Sequence, residues 1–265
     1  MALPPLPVHP AIAAAAKAAA PRPPAAAMPT AAGVENAAAA EVRDVVDPDG
    51  TLRARASFAG GVAHGPLTRY GPRGTPVLET PYVQGEPHGM MRLYTDDGRI
   101  LQESPRHSGL AEGVTRTYSP SGRLMFEQRH VLGVAEGEAV AYAESGDATA
   151  RLPYHAGRLD GVATYYSEAR LVRRETWRAG LLDGEVVDYA ASGNSSQQAL
   201  YRAGVLHGLL RRFWPDGMLM EELAYRNGRP VGAPRRFDAQ GREIGADAQS
   251  PGFMKNLERF VKGGG

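Results

Sequence analysis

Between residues 41 and 245 the bulky side chains come in short runs, and glycine or a small polar turn cuts each run off. One unit shows the pattern. Met90–Tyr94 is a bulky run, Asp96-Asp97-Gly98 interrupts it, Ile100–His107 is a longer run, and Gly109-Leu110-Ala111-Glu112-Gly113 interrupts again. Similar small turns stand at Ser119-Pro120-Ser121-Gly122, Trp214-Pro215-Asp216-Gly217 and Asp238-Ala239-Gln240-Gly241. Strand-length runs with a turn signal about every 10–12 residues predict a β-meander. A helical reading fails, because glycine and proline recur before three helical turns can form.

The turns are periodic. Glycine pairs separated by three residues fall at Gly61/Gly65, Gly85/Gly89, Gly109/Gly113, Gly133/Gly137, Gly157/Gly161, Gly180/Gly184, Gly204/Gly208 and Gly228/Gly232. An aromatic follows the second glycine at a constant distance: Tyr70, Tyr94, Tyr118, Tyr142, Tyr166, Tyr189, Phe213 and Phe237. A third glycine follows most of these, as at Gly98 and Gly122. Three residues before each pair stands another bulky column, with Phe58, Tyr82, His130, Tyr154, Trp177, Tyr201 and Tyr225, and Arg106 as its exception. The step is 24 residues except for one of 23, and the missing residue falls in the Ser167–Arg170 turn, which also lacks its glycine. A turn is where a repeat tolerates a deletion. The segment Val45-Val46-Asp47-Pro48-Asp49-Gly50 matches the second half of a unit, so the array starts near Glu41 and ends near Gly245.

The expected fold is all-β: an elongated single-layer antiparallel meander of about eight to nine hairpin repeats of roughly 24 residues. At about 4.8 Å per strand each repeat advances about 9–10 Å, and the sheet would reach on the order of 80 Å. Tyrosine and phenylalanine ladders are expected to supply burial, with rings close against the neighbouring glycines.

The units Tyr82-Val83-Gln84-Gly85-Glu86-Pro87-His88-Gly89 through Tyr94, Gly98 and Glu103, and Tyr225-Arg226-Asn227-Gly228 through Gly232, Phe237 and Gly241, resemble the MORN repeat superfamily. More closely they look like the bacterial variant found in YwqK-family antitoxins. The resemblance covers about residues 41–245 and departs from the pattern at Arg106, Ala169-Arg170 and Asn194–Gln198. It implies a binding scaffold, and in bacteria a neutraliser of toxins.

Two segments flank the array. Met1 to Ala40 is rich in alanine and proline and reads as a disordered leader, with a docking tail as the alternative. In residues 246–265, Ser250-Pro251 makes a helix start, Phe253, Leu257, Phe260 and Val261 follow helical spacing, and Gly263–Gly265 ends it. This short amphipathic helix is expected to cap the last open strand. Its basic face, with Lys255, Arg259 and Lys262, leaves membrane or partner docking open.

Composition narrows the function. The net charge of +1 gives no basic excess of the kind a nucleic-acid partner requires. The absence of cysteine excludes disulfides, thiolate zinc sites and a cysteine nucleophile. No apolar run is long enough for a membrane-spanning helix, and the amino terminus lacks a signal-peptide pattern. No nucleophile elbow, phosphate loop, zinc helix or calcium loop occurs. The column before the second glycine (His64, His88, Glu112, Glu136, Asp160, Asp183, His207, Val231) resembles a metal ladder, but its members sit too far apart to share one ion.

We therefore expect no enzyme, no cofactor and no metal. Two candidate surfaces remain. Arg92, Arg116, Arg211, Arg212, Arg235 and Arg236, together with Arg69, precede the aromatic column and are expected as a basic strip on one face. Glu112, Glu136, Asp160 and Asp183 form an acidic rim, unless they are simply solvated turn residues. Such surfaces suit a charged protein partner. The expected function is a cytoplasmic, non-catalytic antitoxin or immunity protein that occludes a toxin or effector. A scaffold or adaptor of a secretion machine, or a peripheral membrane binder, stands as the alternative.

Overall fold

The computed structural model describes residues 40–245. The leader up to residue 39 and the expected helix in 246–265 lie outside them. The chain divides into two compact units, one ending at Leu159 and the other beginning at Asp160.

In the first unit the strands are β1 (Glu41–Val46), β2 (Leu52–Ala59), β3 (Val62–Tyr70), β4 (Pro76–Val83), β5 (Glu86–Pro87), β6 (Gly89–Tyr94), β7 (Ile100–His107), β8 (Leu110–Ala111), β9 (Gly113–Tyr118), β10 (Leu124–Val131), β11 (Val134–Ala135), β12 (Gly137–Tyr142), β13 (Ala148–His155) and β14 (Arg158–Leu159). In the second they are β15 (Gly161–Ser167), β16 (Arg170–Arg178), β17 (Leu181–Tyr189), β18 (Ser195–Arg202), β19 (Val205–Phe213), β20 (Leu219–Arg226), β21 (Arg229–Phe237) and β22 (Glu243–Ile244). Each unit is an open antiparallel meander, and the described residues contain no helix.

Two alternating turns produce the meander. The first follows the bulky column. Val131 pairs with Val134 across Leu132 and Gly133, whose φ angles are 48° and 81°. Two central residues at positive φ make a type I′ hairpin, whose twist matches that of the strands. Glycine takes the second place without cost, whereas Leu132 is held in the left-handed region by its surroundings. The second turn is the polar one: Thr95 accepts from Gly98 N–H at 2.9 Å and donates to the Arg99 carbonyl at 2.8 Å. In the short repeat that turn collapses to two residues. Ser167 pairs with Arg170, and Glu168 and Ala169 take φ of 50° and 59°. The deletion thus changes the turn type and leaves the strand register intact.

The second glycine of each pair marks a bulge. Tyr82 pairs with Pro87, but Glu79 pairs with Arg92, so His88 and Gly89 are extra residues on their strand. A Cβ built on Gly89 would stand 2.8 Å from Pro81 Cγ, and one on Gly208 2.8 Å from Leu200 Cδ2. The residue packed over these glycines is therefore a proline or leucine, and not the aromatic ring expected from sequence.

The pleat divides each unit into two faces. One face carries the column Thr80, Ser104, Gln128 and Leu152 in the first unit, and Glu175 and Ala199 in the second, all buried. Their cross-strand partners are Leu67, Met91, Thr115 and Ala139, then Ala163 and Val186. Ala139 and Ala163 are 0% exposed, so the tightest packing comes from small side chains and the tyrosines of the repeat are only half-buried around it.

Candidate functional site

The opposite face carries a cross-strand charge ladder. In the first unit the register places Asp44, Arg55, Thr68, Glu79, Arg92, Glu103, Arg116, Glu127, Val140 and Arg151 side by side in one row. Opposite charges in facing strands attract. Arg92 Nε lies 3.0 Å from Glu103, Arg116 3.7 Å from Glu127, and Arg55 2.8 Å from Asp44. The aromatic column closes over this row. The hydroxyls of Tyr94, Tyr118 and Tyr142 donate to Glu79, Glu103 and Glu127 at 2.6, 3.2 and 2.8 Å. Burial, followed by the bond to the Glu79 carboxylate, pushes the Tyr94 hydroxyl up to about 12.

The second unit repeats the row as Thr164, Arg174, Val187, Gln198, Arg211, Glu222 and Arg235. Arg211 sits 2.7 Å from Glu222, and Arg235 sits 3.0 Å from Glu243 and 3.6 Å from Glu222. Arg212 and Arg236 fall one position on, so the pleat turns them to the other face. There both bind Glu221, at 3.3 and 3.1 Å. Arg92, Arg116, Arg211, Arg212, Arg235 and Arg236 therefore occupy two faces, and each is paired with a glutamate.

The face of the second unit opposite its ladder holds a buried polar cluster that sequence reasoning missed. Glu175 is 8% exposed. It accepts from Arg173 Nε at 2.6 Å, the Tyr165 hydroxyl at 2.9 Å and Trp177 Nε1 at 3.0 Å. Arg173 also reaches Asp188 at 2.8 Å, and burial pushes the Asp188 carboxyl up from the ordinary range. The available signal was the column itself: a glutamate stands at Glu175 where the first unit has Thr80, Ser104, Gln128 and Leu152.

The predicted acidic rim has a structural task. Glu112 accepts the Leu132 N–H at 2.6 Å, Glu136 accepts the Ala156 N–H at 2.9 Å, and Asp160 accepts the Ala179 N–H at 3.0 Å. Those three N–H groups belong to the non-glycine residue at positive φ in the next type I′ turn. Each acid thus caps the turn of the following repeat. The Ala156 N–H and then His155 hold the Glu136 carboxyl below its usual range. Asp183 lies 3.6 Å from Arg178.

The buried face of the first unit also carries a charged side chain. Arg106 takes a column position filled on either side by Tyr82 and His130. Its Nε is buried and meets no acceptor among the described residues. On the same face, Ser104 Oγ lies 3.0 Å from Thr115 Oγ1, which lies 3.4 Å from His130 Nδ1. Burial pulls the His130 imidazole down, the Gln128 backbone pulls it back up, and the Arg106 charge lowers it further.

No group of three or more His, Cys, Asp or Glu side chains among the described residues is placed to hold a metal ion. No helix there is long and apolar enough to cross a membrane. Residues 206–227 match the MORN repeat variant. The matched segment covers most of β19 and all of β20 with their turn, and with the recurrent hairpins it supports a MORN-like repeat protein. No curated protein matches the chain.

Proposed function

We propose that this MORN-like repeat protein is a non-catalytic binding protein, working in the cytoplasm as an antitoxin or immunity protein that occludes a toxin or secreted effector. The observation that carries the reading is the row of cross-strand pairs. It fixes arginine, glutamate and tyrosine side chains at regular intervals on a pre-ordered surface, and such pre-ordering lowers the entropic cost of docking a protein. Arg92, Arg116, Arg211 and Arg235 enter that surface already paired with glutamate. Recognition then rests on shape and hydrogen-bond pattern, with charge steering only the approach.

The finer architecture belongs to the same proposal. We read the array as eight to nine repeats of roughly 24 residues, of the bacterial YwqK antitoxin type, with residues 246–265 as a helix capping its last strand. Neither nucleic acid nor membrane is a partner in this reading.

Co-expression of the full chain with the product of the neighbouring gene tests it. The neighbour alone should arrest growth, the pair should grow, and the two should co-purify. A harmless neighbour, or a toxic one that the chain neither binds nor relieves, would overturn the antitoxin reading.

A further inference from the structure

We propose that His88 and His107 form a two-histidine chelate for a divalent transition-metal ion, with water completing its coordination. Successive tight turns are joined by side chains 19 or 20 positions apart. Glu112 caps Leu132, Glu136 caps Ala156 and also binds His155, and Asp160 caps Ala179. One repeat earlier His88 holds the place of these acids. It meets His107, and the two ring centroids lie 4.7 Å apart. Neither ring has another partner among the described residues. His107 is exposed and His88 half-buried, so solvent reaches the pair. Members of the column His64, His88 and Glu112 stand too far apart to share an ion. The second ligand comes instead from the following turn.

Geometry and ligand type set the class of ion. A metal held by one nitrogen of each ring at about 2.0–2.1 Å, with an angle of about 90–110° between the bonds, puts the ring centroids roughly 4.5–5 Å apart. The His88–His107 separation falls within that range. Imidazole nitrogen suits Cu2+, Ni2+ and Zn2+, whereas Mg2+ and Ca2+ require oxygen ligands. Two protein ligands are fewer than a resident zinc takes, and no third His, Cys, Asp or Glu among the described residues is placed to join them. The ion is therefore exchangeable, and its remaining positions are open to water. Cu2+ binds such nitrogen sites most tightly of the first-row divalent ions. Once bound, it would tie the bulge before β6 to the turn after β7. The acids tie the later turns in the same way.

The test is a titration of the full chain, carrying no histidine tag, with Cu2+ alone as the probe. Electron paramagnetic resonance should show two imidazole nitrogens on the first equivalent bound. His88→Gln and His107→Gln should each weaken binding about tenfold or more and leave a one-nitrogen spectrum. His64→Gln should change neither, because Val83 stands where a second imidazole would be needed. Zn2+ should bind about tenfold or more less tightly than Cu2+, and Mg2+ should not compete. A one-nitrogen spectrum in the parent protein would overturn the site whatever the variants do. So would unchanged affinity in His107→Gln, whose side chain is exposed and carries no packing. Cu2+ should also raise the unfolding midpoint of the parent but not that of His107→Gln, since an ion that binds only the folded state stabilises it. An equal rise in both would overturn the tie between turns. No partner protein is used, so the outcome is independent of the antitoxin reading.

Discussion

Gly89 and Gly137 hold the same place in the repeat but have different neighbours, and that difference makes a quantitative prediction. At Gly89 φ is +111°, and an added Cβ would lie 2.8 Å from Pro81 Cγ. At Gly137 φ is +79° and nothing lies within 4 Å. Alanine at residue 137 meets only backbone strain, about 1–2 kcal/mol. Alanine at residue 89 meets strain plus an overlap with a proline ring that cannot rotate away, and overpacking of that kind adds about 1–3 kcal/mol. Gly89→Ala should therefore cost about 2–5 kcal/mol. The double variant Gly89→Ala with Pro81→Ala removes the ring and should recover about 1–3 kcal/mol as a coupling energy. Urea unfolding followed by circular dichroism measures the parent, both single glycine variants, Pro81→Ala and the double variant, and unchanged m-values would show that the unfolding unit is the same. The reasoning is refuted if the two single glycine variants cost the same, or if Pro81→Ala fails to rescue. Backbone conformation alone, and no close approach, would then explain the column.

Four further outcomes follow from the sites. Arg106→Tyr restores the aromatic column and removes a buried unpaired donor, so it should stabilise the protein by about 1–2 kcal/mol; an unfolding midpoint that falls would count against the unpaired donor. Glu175→Leu takes the acceptor from the Trp177 indole N–H and leaves Arg173 to Asp188, and thermal unfolding should register a loss of about 2–4 kcal/mol; a loss below about 0.5 kcal/mol would mean that the cluster contributes little. His130 has a lowered folded pKa, so its neutral form contributes stability that is present above the unfolded value of about 6.5 and is lost as pH falls through the folded one. His130→Phe should remove that part of the acid slope, and an unchanged slope would place its origin elsewhere. Glu136→Ala leaves the Ala156 N–H without its acceptor, and that amide should exchange with deuterium faster than in the parent protein; Glu136 has a lowered folded pKa, so this protection is present above the ordinary carboxylate range and fades as pH falls through the folded value.

The hairpins and their boundaries were legible because positive φ forces glycine into fixed places, as at Gly85, Gly109 and Gly133, and a spacing of glycines can be read without any contact. The short turn at Ser167–Arg170 was legible for the same reason: a missing glycine and a missing residue coincide. The meaning of the charged columns was not. Arg92 and Glu103 are eleven positions apart, and only the strand register places one beside the other. Arg211 and Arg212 look equivalent as letters, but the pleat sends them to opposite faces. The acidic rim was hidden for a related reason: Glu112 serves Leu132, twenty positions away in the next turn, a link that exists only once the turns stack. Nor does any composition change mark the division after Leu159.

A repeat also constrains where specificity can reside. Identical units present identical side chains, so a surface built only from the consensus would offer a partner several equivalent registers. The paired ladders make this worse, because each Arg–Glu pair is already satisfied and resembles the next, as Arg92–Glu103 resembles Arg116–Glu127. What breaks the degeneracy is departure from the pattern. Arg106 and His130 interrupt the aromatic column in the first unit, and Glu175 interrupts the buried column in the second. The two departures differ in kind. Glu175 is surrounded by donors, which makes it a structural pin. Arg106 places a cation among aromatic neighbours of its column, which makes its repeat unlike those on either side. A surface that meets Arg106 finds a charge where the adjacent repeats carry Tyr82 and His130, and a difference of that kind is what separates one register from the next.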